Sequence, residues 1–136
     1  MNLSKIVRNS GILAVLGISC TVVSAPAENE YFTASISKEG KVLSQSSEWI
    51  DSVKYFPQKD WFSNYEINFK PDTYKQAPAF CSASTTDSEG EDDLLYGVAK
   101  LGAAPRQDRV TVITSYMGKA GRSGDTSQSF MLICFK

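Results

Sequence analysis

Three cysteines occur in the 136-residue chain, and their placement constrains the fold more than any other feature. Cys20 sits in an uncharged, largely apolar stretch, 11–23, that follows the basic residues Lys5 and Arg8. A basic segment followed by a short apolar run predicts a secretory signal peptide. Small residues at Ala25 and Ala27 favour cleavage after Ala27, because a cut after Ala25 leaves Pro26 in the following position. The stretch is shorter than the roughly 20 residues a membrane-spanning helix needs, and nothing similar recurs downstream. No stable membrane insertion is expected. A minor processing route stays open, since 16–20 loosely resembles a lipobox in which Cys20 becomes the lipidated first residue. Gly17 stands where that motif carries Leu.

By the first route the expected product is one domain, 28–136, with Cys81 and Cys134 as its cysteines. An exported chain meets an oxidising compartment, so a Cys81–Cys134 disulfide is expected. Closing a loop of that size stabilises by roughly 4 kcal/mol in the chain-entropy description. Small domains total only about 5–15 kcal/mol, so the bridge carries a large share.

Composition removes several function classes. The chain contains no histidine, which excludes His-based triads, His general bases and the usual His-containing zinc sites. Loss of the leader removes two of the 14 basic residues and none of the 15 acidic ones, leaving a net charge of −3. That charge is mild and of the wrong sign for general nucleic-acid binding.

Short runs rich in β-branched and aromatic residues alternate with polar turns along the rest of the chain. Strands are expected at 31–37 and 41–47, joined by a hairpin loop in which Gly40 supplies positive φ. Trp49, Ile50 and Val53 follow with the spacing of a buried turn or strand end, and Trp49 is assigned to the core. The segment 55–62 mixes four aromatic rings with Pro57 and polar side chains and reads as a loop. Further strands are expected at 64–69, ending before Pro71, and at 80–84. Residues 94–101, with a bulge at Gly97, and 109–116 continue the series. The last strand falls within 128–135, whose unbroken apolar run predicts a central position buried on both faces. Seven or so strands and no convincing helix argue for an all-β antiparallel sandwich or small barrel.

Gly40 through Ile50, Tyr65 through Phe69, Ala77 through Cys81, and Phe130 through Cys134 resemble a small β module of exported bacterial proteins and phage tail-fibre ends. The resemblance covers most of 28–136. In fibre ends such modules imply receptor or glycan recognition, and the resemblance brings no catalytic residues with it. The general pattern also resembles lectin-like sandwiches.

Three clusters are candidate sites. In the aromatic segment, Tyr55, Phe56, Trp61 and Phe62 offer flat faces for sugar C–H groups, and Lys59 and Asp60 offer partners for hydroxyls. The same rings equally suit capping one end of a core. The acidic run with Asp87, Glu89, Glu91, Asp92 and Asp93 lacks the spacing of an EF-hand calcium loop and reads as solvated charge. The glycine-rich 118–124 fails the P-loop order and reads as a connection, and Arg106, Arg109, Lys119 and Arg122 would face an anion together only if folding converges them. No nucleophile–base pair or carboxylate pair stands out. The expected function is therefore an exported, non-catalytic binding domain, periplasmic or secreted, that recognises a surface ligand such as a glycan through the 55–62 segment. The alternative is a structural or assembly protein that engages a protein partner. No cofactor, metal or nucleic-acid partner is assigned.

Overall fold

The computed structural model describes residues 31–86, 90–117 and 124–136. The leader, with Cys20 and both processing routes, lies outside them. Eight strands form: β1 (Tyr31–Ile36), β2 (Val42–Gln45), β3 (Ile50–Gln58), β4 (Phe62–Phe69), β5 (Phe80–Thr85), β6 (Gly97–Leu101), β7 (Arg109–Tyr116) and β8 (Phe130–Phe135). They build two four-stranded antiparallel sheets, in the orders β2-β1-β8-β5 and β3-β4-β7-β6. The all-β sandwich expected from the sequence is the fold, with one strand more than the count of seven.

Alternation decides which side chains meet between the sheets. Ala34, Ile36, Phe130 and Leu132 come from the first sheet, Tyr65, Ile67, Val110 and Val112 from the second, and all are buried. Cys81 and Cys134 are directly opposed in the β5–β8 register and joined by a disulfide, with Cα atoms 4.1 Å apart. The bridge therefore ties an edge strand to an interior strand of one sheet, inside the core.

Passage from the first sheet to the second is made at Trp49. Its indole Nε1 donates to Thr33 O at 3.1 Å. The Gln45 amide oxygen accepts from both Trp49 N and Ile50 N, each at 3.1 Å, so this side chain satisfies the backbone where the chain changes sheets. Phe32 stacks on Trp49 with centroids 5.5 Å apart, and Phe69 and Tyr74 complete the aromatic group. At the first hairpin, Gly40 takes φ 81° as the sequence predicts, and its N–H donates to Ser37 O at 2.9 Å.

Four sequence expectations need correction. Residues 55–62 are not a loop: Tyr55 through Gln58 extend β3, and Phe62 opens β4. Pro57 is tolerated because β3 is an edge strand, where a missing N–H leaves no ladder bond unmade. A helix does exist, α1 (Glu91–Tyr96), so the strand expected over 94–101 begins only at Gly97. Acidic residues in a first turn complement the helix dipole, and Leu94 N donates to Gly90 O at 3.1 Å. There is no bulge at Gly97, which pairs with Tyr116 in a register unbroken through Leu101 and Val112. Irregularities fall instead between Ser35 and Ile36 and between Ile50 and Ser52. Finally, β8 is interior to its sheet but not buried on both faces. Met131 and Phe135 point outward and are exposed, because only one face of each layer meets the other.

Candidate functional site

The β3–β4 hairpin and the segment 124–128 meet at one end of the sandwich. At the hairpin tip Trp61 N donates to Gln58 O at 3.2 Å, and Asp60 adopts a left-handed φ of 68°. Asp60 N donates to Gly124 O at 3.0 Å, while its carboxylate accepts from Gly124 N. This reciprocal pair anchors the tip to the approach of β8 through the Asp60 N–H and one of its carboxylate oxygens. Trp61 beside it is 76 % exposed, the most exposed large apolar side chain among the described residues.

Behind the tip, the inward positions are hydroxyls rather than hydrocarbon. Ser63 Oγ lies 2.8 Å from Ser127 Oγ and 3.3 Å from Thr126 Oγ1. The Tyr55 hydroxyl pairs with Ser127 Oγ, and Thr114 Oγ1 donates to Thr126 O at 2.9 Å. Ser63, Thr114, Thr126, Ser127 and Gln128 are all buried. Buried polar groups persist only where they are hydrogen-bonded, and this network satisfies nearly all of them. The exception is Gln128, whose Nε2 donates to Ser115 O at 3.0 Å while its Oε1 finds no partner among the described residues. Tyr55 stacks on Tyr65 at 5.1 Å, and Tyr65 donates to Lys38 O at 2.7 Å. Burial pushes the Tyr65 phenol up to about 12.

A cleft of about 420 Å³ opens over this network, lined by Tyr55, Pro57, Gln58, Lys59, Ser63 and Asp125. Its size falls within the range of small-ligand sites, about 300–1,000 Å³. Its accessible lining is mainly apolar, with the Lys59 ammonium, the Gln58 amide and the Asp125 carboxylate at its edge, while the Tyr55 and Ser63 hydroxyls are already engaged by Ser127 and Thr126. Asp125 Oδ1 already accepts from Ser127 N at 2.9 Å, which fixes the carboxylate at the rim.

The six residues singled out from the sequence therefore separate. Tyr55 and Lys59 line the cleft, Asp60 pins the tip, and Trp61 projects from it. Phe56 and Phe62, by strand alternation, lie on the outer face of the second sheet and are not brought to the cleft. Ser63, Asp125 and Ser127 were missed because serines and aspartates are common in any exported domain. A weak signal was present in the polar residues at 125–129, which interrupt the approach to an otherwise apolar strand.

A second cleft, about 610 Å³, lies at the Trp49 end, where Phe32, Trp49 and Tyr74 line it together with Glu48, Lys75 and Lys136. Its rings are largely committed to one another, and the Lys136 ammonium sits 5.1 Å from the centre of the Phe32 ring. Of the arginine cluster, Arg106 and Arg109 line one small cleft of about 170 Å³ together with Glu66 and Thr111. Arg109 is held by Asp108 at 2.8 Å and Glu66 at 3.0 Å, and Lys119 and Arg122 lie outside the described residues. Hydrogen bonds from Lys54 and Arg109 hold the Glu66 carboxyl below its ordinary range. Of the acidic run, Glu91 opens α1, and Asp87 and Glu89 are not described. Among the described residues no three His, Cys, Asp or Glu side chains group as metal ligands, and no helix is long and apolar enough to cross a membrane.

Comparison with known proteins leaves the chain without relatives to reason from: no family model, curated protein or solved structure matches it.

Proposed function

We propose that the protein is an exported, non-catalytic recognition domain that binds a hydroxyl-rich surface ligand, of the kind a glycan presents, at the β3–β4 hairpin. The observation that carries this reading is the cleft lined by Tyr55, Pro57, Gln58, Lys59, Ser63 and Asp125 on the hairpin whose anchored tip bears the exposed Trp61. Sugar rings offer alternating C–H and O–H surfaces, and aromatic faces and hydrogen-bonding groups are their natural complements. An anchored tip also loses less entropy when it binds. The hydroxyls of Ser63 and Ser127 hydrogen-bond to each other and to the Thr126 and Tyr55 hydroxyls. Export rests on the leader sequence and is supported by the disulfide.

The test is a glycan-array screen of the exported, oxidised protein beside Trp61→Ala and Lys59→Ala, each checked for an unchanged melting temperature. Selective binding that both substitutions weaken is the expected result. Absence of binding on the array, or binding indifferent to both changes, would remove this site as the recognition surface.

A further inference from the structure

The two outer faces of the sandwich differ in kind. That of the second sheet carries an ion-pair chain, Lys54 to Glu66 at 3.0 Å, Glu66 to Arg109 at 3.0 Å and Arg109 to Asp108 at 2.8 Å. On the first sheet, the outward positions of β1, β8 and β5 carry no charge. They form three rows across the strands: Tyr31–Phe135–Phe80, then Thr33–Ile133–Ser82, then Ser35–Met131–Ser84. The first row is a continuous aromatic band, with Phe135 5.9 Å from Tyr31 and 6.2 Å from Phe80 between ring centroids. Its members are 49 %, 38 % and 56 % exposed in the order Tyr31, Phe135, Phe80, and Met131 is 53 % exposed. With an aromatic side chain offering about 200 Å², these three rings leave roughly 290 Å² of ring surface in water. A contiguous apolar patch of this kind is at the scale of the largest patch on a typical monomer, which often serves an interaction.

The relief of the patch indicates its occupant. One end row is tall and aromatic, and the other is short, with two serines flanking a flexible methionine. A two-fold axis along the middle row would turn a second copy face to face. Each aromatic row would then lie on the partner's short row, and Ile133 would meet its own counterpart. A patch whose halves complement each other is the requirement of an isologous interface. Sheets packing this way lie about 10 Å apart and meet at about 30°. Three six-residue strands and the four-residue β2, about 4.8 Å apart, present a face of roughly 19 by 20 Å at its longest. With side-chain relief, two such faces bury about the 1,000 Å² at which specific interfaces begin.

We propose that the protein self-associates through the outer face of the β2-β1-β8-β5 sheet as a two-fold dimer, each Tyr31–Phe135–Phe80 row packing on the partner's Ser35–Met131–Ser84 row. The face lies on the opposite sheet from the hairpin, so ligand binding and pairing are separable. Sedimentation equilibrium of the oxidised protein over a wide concentration range tests this, with Phe80→Lys, Trp61→Ala and the double variant Phe80→Lys/Ser84→Asp measured alongside. Phe80 is exposed, so its substitution leaves the fold intact, which an unchanged melting temperature checks. The expected result is a concentration-dependent dimer, unaffected by Trp61→Ala. Phe80→Lys weakens it by about a hundredfold or more, because symmetry places the unpaired ammonium in the interface twice. Ser84→Asp restores it in the double variant by meeting the partner's Lys at position 80. A monomer at every concentration, a dimer indifferent to Phe80→Lys, or a double variant no stronger than the single one would each overturn the proposal.

Discussion

Removing the Cys81–Cys134 bridge separates what the sheets hold by packing from what the chain holds by covalent closure. The bridge spans a sequence separation of 53 that includes α1, β6 and β7. In the chain-entropy description, a loop of that length removes about 14 cal/mol/K from the unfolded ensemble, or about 4 kcal/mol at 25 °C. A domain of roughly 100 residues unfolds with an entropy near 0.2 kcal/mol/K, so that loss lowers the melting temperature by roughly 15–20 °C. Cys81→Ala/Cys134→Ala is the suitable variant, since both sites are buried and apolar and serine would leave two hydroxyls to satisfy. Circular-dichroism melts of oxidised, thiol-reduced and double-variant protein provide the assay, with urea titrations alongside. Both bridge-free forms should melt well below the oxidised protein and close to each other. Their urea m-values should rise as the unfolded chain expands. A fall of less than about 5 °C, or two reactive thiols in unfolded, unreduced protein, would refute the reasoning.

Three further outcomes follow from named contacts. Tyr74→Phe should leave stability unchanged or raise it by up to about 1 kcal/mol, because the buried Tyr74 hydroxyl finds no partner among the described residues; Tyr65→Phe should cost about 1–2 kcal/mol by orphaning Lys38 O, and paired urea midpoints compare the two. Glu66 has its folded pKa lowered by hydrogen bonds from Lys54 and then Arg109, so its contribution is present above the ordinary value of 4.5 and is lost as pH falls through the lowered folded value. Melting curves of wild type and Glu66→Gln should therefore converge on acidification below pH 4.5, and a constant gap between them would contradict the assignment. Gly40→Ala should destabilise by about 1–2 kcal/mol from its left-handed backbone alone, with a further loss because the new Cβ lies 3.0 Å from Tyr55 Cβ; a urea midpoint within error of wild type would show that the turn relaxes freely.

The fold was legible in the sequence wherever one period dominated. Five of the eight residues of β7 are β-branched, and β4 alternates polar and apolar from Asn64 to Phe69, so the burial of Tyr65, Ile67 and Phe69 follows from the pattern. The disulfide followed from compartment and cysteine count. The hairpin was obscured because Tyr55 and Phe56 lie on opposite faces of one edge strand. Two adjacent aromatic residues followed by proline break the appearance of alternation without breaking the strand. Helix α1 was obscured because six residues are too few for helical periodicity to show. Of the site, the rings of the tip were readable as large side chains in a polar segment. Its hydroxyl floor was not, because Ser63 and Ser127 are 64 positions apart and only pairing of the sheets brings them within 2.8 Å. The aromatic row on the first sheet was hidden for the same reason, with one ring on each of three strands distant in sequence.

Recognition is proposed at the cleft behind the β3–β4 tip. The most direct measurement is a nitrogen-15 correlation-spectrum titration of the oxidised protein with the strongest glycan from the array. Saturable shifts are expected at the backbone amides of 58–63 and 124–127 and at the Trp61 indole, with the amides of 72–76 at the opposite end unmoved. Shifts centred on 72–76 and the Trp49 indole, or no shifts at saturating glycan, would contradict it.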